Sequence, residues 1–279
     1  MPTSFTLPAT SITGKSQAGT AWSRVGSGQT VVFTHGVGMN KSVWAPEVNI
    51  LSQSFDVVIY DMWGHGDSDL PEGELTLSDY VKQLTDLMAE LKISQAHIVG
   101  HSIGALIALT FACRNEKSCR SVAAITAVFD RPEEKSVAVK QRAADILAGG
   151  NARNDAETLE RWFGEPQSNP YAEAANFANQ ALAQVDSKGY ARAYSVFANA
   201  SGVAADDLAG LQVPCLFLTA DGDPNSTPEM SQAMAEIAPH GKFQVIAGHR
   251  HMVTLTAPEQ VCESLDTFFN SNDNPTDFQ

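Results

Sequence analysis

Ser102 stands between glycines in the pentapeptide Gly100-His101-Ser102-Ile103-Gly104, which is the part of this sequence best suited to carry chemistry. An apolar run precedes it at 96–99 and a helix-prone run follows at 105–109. This pattern predicts a strand, a tight turn and a helix, with Ser102 presented as a nucleophile at the helix N-terminus, where unpaired N–H groups favour negative charge. The glycines would allow the close strand–helix approach that such a strained turn needs. A strand–turn–helix that needs glycine for packing alone is the alternative interpretation.

A serine hydroxyl becomes a useful nucleophile when a base takes its proton and a third group holds that base in one tautomer. Two late segments offer such groups: Asp221-Gly222-Asp223-Pro224 and Gly248-His249-Arg250-His251. Each follows an apolar strand pattern, and open α/β sheets build their sites beyond the carboxyl ends of strands. The residues alone leave two acids and two histidines as candidates.

Strand and helix patterns alternate from Val31 to Thr126, and the alternation resumes at Val213. This period predicts an α/β fold with a mainly parallel, twisted sheet flanked by helices. Two strand-like pieces near 4–13 and 19–25 predict an antiparallel edge. Residues 129–207 lack a strand pattern and are rich in Ala, Asn, Gln and Glu, so we expect a helical cap there and a core domain of residues 1–128 and 208–279. Such lids exclude water and shape the substrate pocket.

Four segments resemble the α/β-hydrolase superfamily, and together they span nearly the whole chain. His35-Gly36-Val37-Gly38 is similar to the family's oxyanion loop, the segment from Asp61 to Ser68 to its glycine-rich turn, and the Ser102 pentapeptide to its nucleophile elbow. The two late turns are the fourth segment. The resemblance implies an α/β-hydrolase fold with a cap.

The resemblance also implies the chain order Ser, Asp, His for the catalytic residues. It favours Asp223, directly before Pro224, as the acid, with Asp221 as the runner-up and Asp130, after an earlier strand, as a third candidate. It favours His251, seven residues before Pro258, over His249 as the base. In this arrangement the N–H groups of Val37 and Ile103 form the oxyanion hole.

The activity that the resemblance implies is hydrolysis of a small carboxylic ester or lactone by two-step acyl transfer, as in enol-lactonases and general esterases. No metal and no organic cofactor would be required. Carbon–carbon bond hydrolases of the same fold are an alternative, although they often carry Asn before the serine and a Gly-Gly pair after it, where this chain has His101 and Gly104-Ala105. A ligand-binding member or a cofactor-free oxygenase that keeps the triad is another.

Aromatic and basic residues near these segments are candidates for the substrate pocket. Trp44 and Trp63 follow the oxyanion loop and the glycine-rich turn, and Trp162 and Phe163 lie in the expected cap. Packing in the core is the alternative for each of these rings. Three cap arginines could clamp a substrate carboxylate or could lie on a solvated helix face: Arg142, Arg161 and Arg192.

The composition favours an enzyme acting on a small molecule. The 279 residues carry a formal charge of −14, with 43% hydrophobic residues and no cluster of Lys and Arg. A phosphate-binding surface needs such a cluster, so the sequence argues against nucleic acid and anionic membranes as partners. The amino terminus lacks the pattern of a signal peptide and no long apolar run follows, so we expect a cytoplasmic protein. The four cysteines lack metal-site spacing and are expected to be reduced.

Overall fold

The computed structural model describes residues 5–149, 155–164 and 171–271. Its strands are β1 Ile12–Lys15, β2 Ala21–Gly26, β3 Thr30–Thr34, β4 Asp56–Tyr60, β5 Ala96–His101, β6 Cys119–Ile125, β7 Cys215–Ala220 and β8 Gly241–Ile246. Its helices are α1 Ala45–Leu51, α2 Leu77–Glu90, α3 Ile103–Arg114, α4 Glu133–Leu147, α5 Asp155–Phe163, α6 Ala172–Gln184, α7 Ser187–Asn199, α8 Ala205–Gly210, α9 Pro228–Ile237, α10 Val253–Thr256 and α11 Pro258–Ser271.

All eight strands belong to one sheet in the order β1-β2-β4-β3-β5-β6-β7-β8. The pairs β1/β2 and β2/β4 are antiparallel, and the pairs from β4 to β8 are parallel. The predicted α/β fold with a mainly parallel sheet is thus confirmed. The strand expected near 4–13 instead begins at Ile12, and Ser4 lies outside the described residues.

The centre of the sheet is buried on both faces because helices cover it. Each residue of β4 and β5 is buried, and their apolar runs are typical of parallel strands covered on both sides. Helix α3 is apolar all round and packs against β5 and β6. Helix α2 begins at a capping box in which Thr76 and Asp79 satisfy each other's backbone N–H groups. These elements fix the end of β5, where Ser102 lies.

Helices α4 to α7 lie between β6 and β7, where the sequence predicts the cap. One close contact with the core lies in α7, where a Cβ added to Gly189 would lie 2.0 Å from the carbonyl oxygen of Gly64. Helix α8 crosses the expected boundary at residue 207, buries Leu208 and contacts α9. The cap limits of 129 and 207 therefore stay a prediction. In the described part of the chain, no helix combines the length and apolarity needed to cross a bilayer.

Candidate active site

Ser102 occupies the turn between β5 and α3 with backbone angles of φ 59° and ψ −119°. An L-residue rarely adopts a positive φ, so this is stored backbone strain. Glycine is required on both sides: a Cβ on Gly100 would lie 2.0 Å from the Gly104 carbonyl oxygen, and one on Gly104 would lie 2.3 Å from the Thr34 carbonyl oxygen. The Ser102 N–H donates to the carbonyl of Ile125 at 3.0 Å, which ties the turn to β6.

His251 and Asp223 form a buried pair, with 2.7 Å between Nδ1 of the imidazole and Oδ2 of the carboxylate. The other carboxylate oxygen accepts the backbone N–H groups of Asn225 at 2.8 Å and Ser226 at 3.2 Å. Burial alone would raise the pKa of Asp223, but His251 and these two N–H groups hold that pKa below its ordinary value. The carboxylate stays ionised and fixes the proton of His251 on Nδ1, which leaves Nε2 available as a base.

The rival acids and the rival histidine make other contacts. Asp221 is exposed and accepts the Gly248 N–H at 2.8 Å, so it ties one late turn to the other. Asp130 is exposed, with a φ of 44°. The imidazole Nδ1 of His249 lies 2.8 Å from the Thr256 hydroxyl. None of the three takes part in the His251–Asp223 hydrogen bond.

His101 holds the backbone of the base in place. Its Nε2 lies 2.8 Å from the carbonyl oxygen of His251, and because a carbonyl accepts, Nε2 must carry the proton. Burial, with the neighbouring His251 ring 5.0 Å away, lowers the pKa of His101 to about 3. His101 is therefore neutral over the working pH range and acts as a hydrogen-bond donor to the His251 loop.

Two further buried histidines join the predicted oxyanion loop to the glycine-rich turn. His35 accepts the N–H of Met62 at 2.9 Å, and His65 accepts the N–H of Gly38 at 3.1 Å. Burial lowers the pKa of His35 to about 4 and that of His65 to about 3, so both rings are neutral and can accept. These two bonds hold the loop that carries Val37 beside Ser102.

Val37 and Ile103 are the two predicted oxyanion donors. Val37 lines the same cavity as Ser102, and Ile103 is the first residue of α3. Across the described ranges, neither backbone N–H donates to a protein acceptor. The first N–H groups of a helix have no intrahelical partner, so they can donate to a negative charge that develops beside the helix N-terminus.

A cavity of about 570 Å³ is lined on one side by residues that follow the strand ends and on the other by residues of α4, α5 and α7. Ser102 and His251 lie in its wall on the sheet side, and Trp162 and Tyr194 lie in its wall on the cap side. One of the four predicted pocket rings lies in the cavity wall. Trp162 lines the cavity, with its ring centroid 6.2 Å from that of His251.

The other three predicted pocket rings, Trp44, Trp63 and Phe163, do not line the cavity and lie in the core instead. Trp44 is fully buried and packs on Phe33, with ring centroids 4.9 Å apart. Trp63 is nearly buried and donates its indole N–H to the Ala18 carbonyl at 3.3 Å. Phe163 is 3% exposed and belongs to the hydrophobic core. Neighbouring residues on a helix point in different directions, which is why Trp162 faces the cavity and Phe163 does not.

The cap arginines separate in the same way. Arg142 and Arg161 line the cavity, whereas Arg192 donates to the Pro71 carbonyl and lies outside it. A fourth arginine, Arg131, also lines the cavity and was missed from the sequence. Its position just after β6 was the available signal, since ligand-binding residues of α/β sheets follow the carboxyl ends of strands.

A family model described as the alpha/beta hydrolase family matches residues 31–264. The chain belongs to this family. Among its relatives, the (E)-2-((N-methylformamido)methylene)succinate hydrolase of Acinetobacter baylyi is 35% identical over 88% of this chain and 92% of its own. The 3-oxoadipate enol-lactonase 1 of the same organism is 28% identical over 86% of this chain and 88% of its own.

Solved α/β hydrolases have the same fold. The enol-lactonase of Burkholderia xenovorans superposes with a TM-score of 0.82 at 23% identity, over 90% of this chain and 96% of that one. This α/β hydrolase is accordingly similar to hydrolases over nearly its whole length, and hydrolysis is the chemistry that the comparisons support.

Proposed function

We propose that this α/β hydrolase cleaves a small carboxylic ester or lactone through Ser102, His251 and Asp223. Ser102 is the nucleophile, His251 the general base and then the general acid, and Asp223 the group that orients the imidazole. The N–H groups of Val37 and Ile103 stabilise the oxyanion. The reaction proceeds through an acyl-enzyme.

In the first half-reaction His251 takes the Ser102 proton as the serine oxygen attacks the substrate carbonyl. The imidazolium then protonates the leaving alcohol as the bond to it breaks. In the second half-reaction His251 takes a proton from water, the hydroxide attacks the acyl-serine, and the serine leaves with its proton restored. With a lactone, the alcohol and the acid stay in one product molecule.

The observation that carries this proposal is the buried His251–Asp223 hydrogen bond of 2.7 Å, because His251 lines the same cavity as the strained Ser102. Because the pKa of Asp223 is lowered, its buried carboxylate stays ionised. The negative charge stabilises the positive charge that the His251 imidazole gains during the reaction. The Ile103 N–H, which donates to no backbone acceptor in the described part of the chain, supports the same chemistry.

Cleavage of an amide is a second candidate, because of the relative at 35% identity. The compound in its name carries a formamide group on a methylenesuccinate. A second relative, 26% identical over 88% of this chain, is the 2-(acetamidomethylene)succinate hydrolase of Mesorhizobium japonicum. The same three residues would perform acyl transfer from an amide, with His251 protonating the leaving nitrogen.

A substrate panel tests the proposal and separates the two candidates. It contains p-nitrophenyl acetate and butyrate, a small enol-lactone and an N-acylated methylenesuccinate, each assayed with wild type and with Ser102→Ala. We expect turnover of the esters or the lactone and a loss of roughly 10⁴- to 10⁶-fold in Ser102→Ala, because the triad acts as a unit. Turnover of the amide alone would favour the second candidate, and turnover that survives in Ser102→Ala would contradict both.

A further inference from the structure

Arg131 is a buried cation in the cavity wall. It follows β6, is 8% exposed and lines the cavity that contains Ser102. Its guanidinium carbon lies 4.7 Å from the ring centroid of Phe197, and its Nη1 donates to the Ala198 carbonyl at a long 3.4 Å. Its Nη2 has no hydrogen-bond partner in the described part of the chain. The guanidinium thus has donor capacity that the protein leaves unused.

No carboxylate pairs with Arg131 among the residues that the structure describes. Burial lowers the pKa of Arg131, and Tyr194 is the group that opposes this shift. A buried guanidinium without an anion is costly, since arginines are seldom buried unless they are paired.

The neighbouring arginines differ from Arg131 because they share an acid. Arg161 donates to the Glu157 carboxylate, and the Nη1 of Arg142 lies 3.7 Å from it. Both also donate to the hydroxyl of Thr158 at 3.2 Å. Arg131 has neither contact, although it lines the same cavity.

The cavity is positively charged in a strongly acidic protein. Among the described residues, its wall contains one carboxylate, Glu157, and four cationic side chains: Arg131, Lys135, Arg142 and Arg161. The whole chain carries a formal charge of −14. A cleft lined by one sign of charge attracts a ligand of the opposite sign, and a low-dielectric wall strengthens that field.

We propose that Arg131 binds a carboxylate of the substrate, so that this α/β hydrolase acts on acids that carry a second, hydrolysable acyl group. The inference rests on the proposed function in that it assigns the cavity beside Ser102 to the substrate. A guanidinium presents paired donors that match a carboxylate, and a charge-assisted bond in a buried site is strong. Arg131 is here a specificity-determining residue; Ser102 and His251 carry out the chemistry.

A purely structural role for Arg131 is the competing explanation. Its bond to Ala198 lies in the last turn of α7, where a cation is favourable, and its stacking on Phe197 supports the cap. This role requires the guanidinium for stability but gives the site no preference for an anion. Ligand charge therefore distinguishes the two roles.

Binding is measured by calorimetry in Ser102→Ala, which cannot consume an ester. The two probes are monomethyl succinate, which carries one carboxylate, and dimethyl succinate, which is neutral. We expect the monoester to bind at least about tenfold tighter than the diester. In the same background, Arg131→Gln should weaken binding of the monoester by about tenfold more than it weakens binding of the diester. Arg131→Lys keeps the charge without the paired donors and should fall between the two.

Arg192→Gln is the matched control, because Arg192 belongs to the cap but bonds to the Pro71 carbonyl outside the cavity. It should leave the preference for the monoester unchanged. Melting temperatures report whether each variant is folded. If Arg131→Gln does not fold, the preference of Ser102→Ala for the monoester, its decline with added salt and the Arg131→Lys result decide the question.

An equal affinity for both probes, a monoester that does not bind, or a preference that survives the loss of Arg131 would overturn the inference. These results are separate from the proposed function, since a variant that lacks Ser102 reports binding alone. Anion preference in Ser102→Ala without ester, lactone or amide turnover in wild type would keep the inference and reject the proposed reaction.

Discussion

Asp223 and Asp221 lie two positions apart in one turn and have different tasks. Asp223 is buried against His251, and Asp221 is exposed and accepts the Gly248 N–H. Asp223→Asn keeps the shape but offers an amide that can stabilise the wrong tautomer of His251. We expect kcat to fall by on the order of 10⁴-fold in this variant.

Asp221→Asn is the matched comparison for this kinetic measurement. An exposed carboxylate away from the base should matter little, so kcat should change by no more than about threefold, in line with the small effects of most surface substitutions. A crippled Asp221→Asn with an active Asp223→Asn would reverse the assignment of the acid. Asp130→Asn should resemble Asp221→Asn.

The sequence predicted those residues whose position depends on the local backbone conformation. Glycines at 100 and 104 mark the Ser102 turn because a side chain there would strike backbone oxygens. Side-chain direction has no such local signal. Trp44 was expected in the pocket but is buried, because the direction of its side chain depends on tertiary packing. Arg131 was missed although its place after β6 is a position where ligand-binding residues occur.

At the level of elements, the helices, the parallel strands and the antiparallel edge of β1 and β2 followed from the sequence pattern, but the start of β1 did not. The helix predicted after the Ser102 turn is found as α3, since an apolar segment after a tight turn has few other ways to be buried. Strand β1 lies at the sheet edge with two exposed residues at its start. Its pairing with β2, rather than its own pattern, determines where it begins.

The contact between α7 and the glycine-rich turn determines how the cap meets the core. A Cβ on Gly189 would lie 2.0 Å from the Gly64 carbonyl oxygen, so Gly189→Ala must push the cap helix away. We expect the free energy of unfolding to fall by roughly 1–3 kcal/mol, as overpacking typically costs, which lowers the melting temperature. We also expect a raised KM.

Gly210→Ala is the control for this measurement by thermal melting and steady-state kinetics. Gly210 ends α8, and a Cβ there meets nothing within 4 Å. Its melting temperature should be equal to or above that of wild type, since alanine favours a helix. Equal behaviour of the two variants would show that α7 tolerates displacement from the turn.

At the scale of the whole molecule, three buried neutral histidines make stability sensitive to acid. Burial lowers the pKa of His35 to about 4 and those of His65 and His101 to about 3. Between the unfolded value near 6.5 and these values the unfolded chain binds more protons, so stability is lost as the pH falls. Asp223, with its lowered pKa, acts in the same direction, and fully buried Glu47, whose pKa is raised, acts in the opposite one.

Melting temperatures at pH 7.5, 6, 5 and 4 measure this dependence. Each such histidine contributes up to about 1.4 kcal/mol per pH unit within its window. His65→Gln, whose amide oxygen can still accept the Gly38 N–H but does not titrate, should flatten the curve below pH 6.5. A curve as steep as that of wild type would mean that His65 is not the source of the acid sensitivity.

The central claim is that Ser102 attacks the substrate with His251 as its base, and a fluorophosphonate probe measures this most directly. The probe should add one phosphonyl group to wild type, and peptide mass mapping should place it on Ser102. His251→Ala should slow labelling by orders of magnitude, because the serine then keeps its proton, whereas His249→Ala should label at close to the wild-type rate. An adduct on another serine, or rapid labelling without His251, would contradict the account.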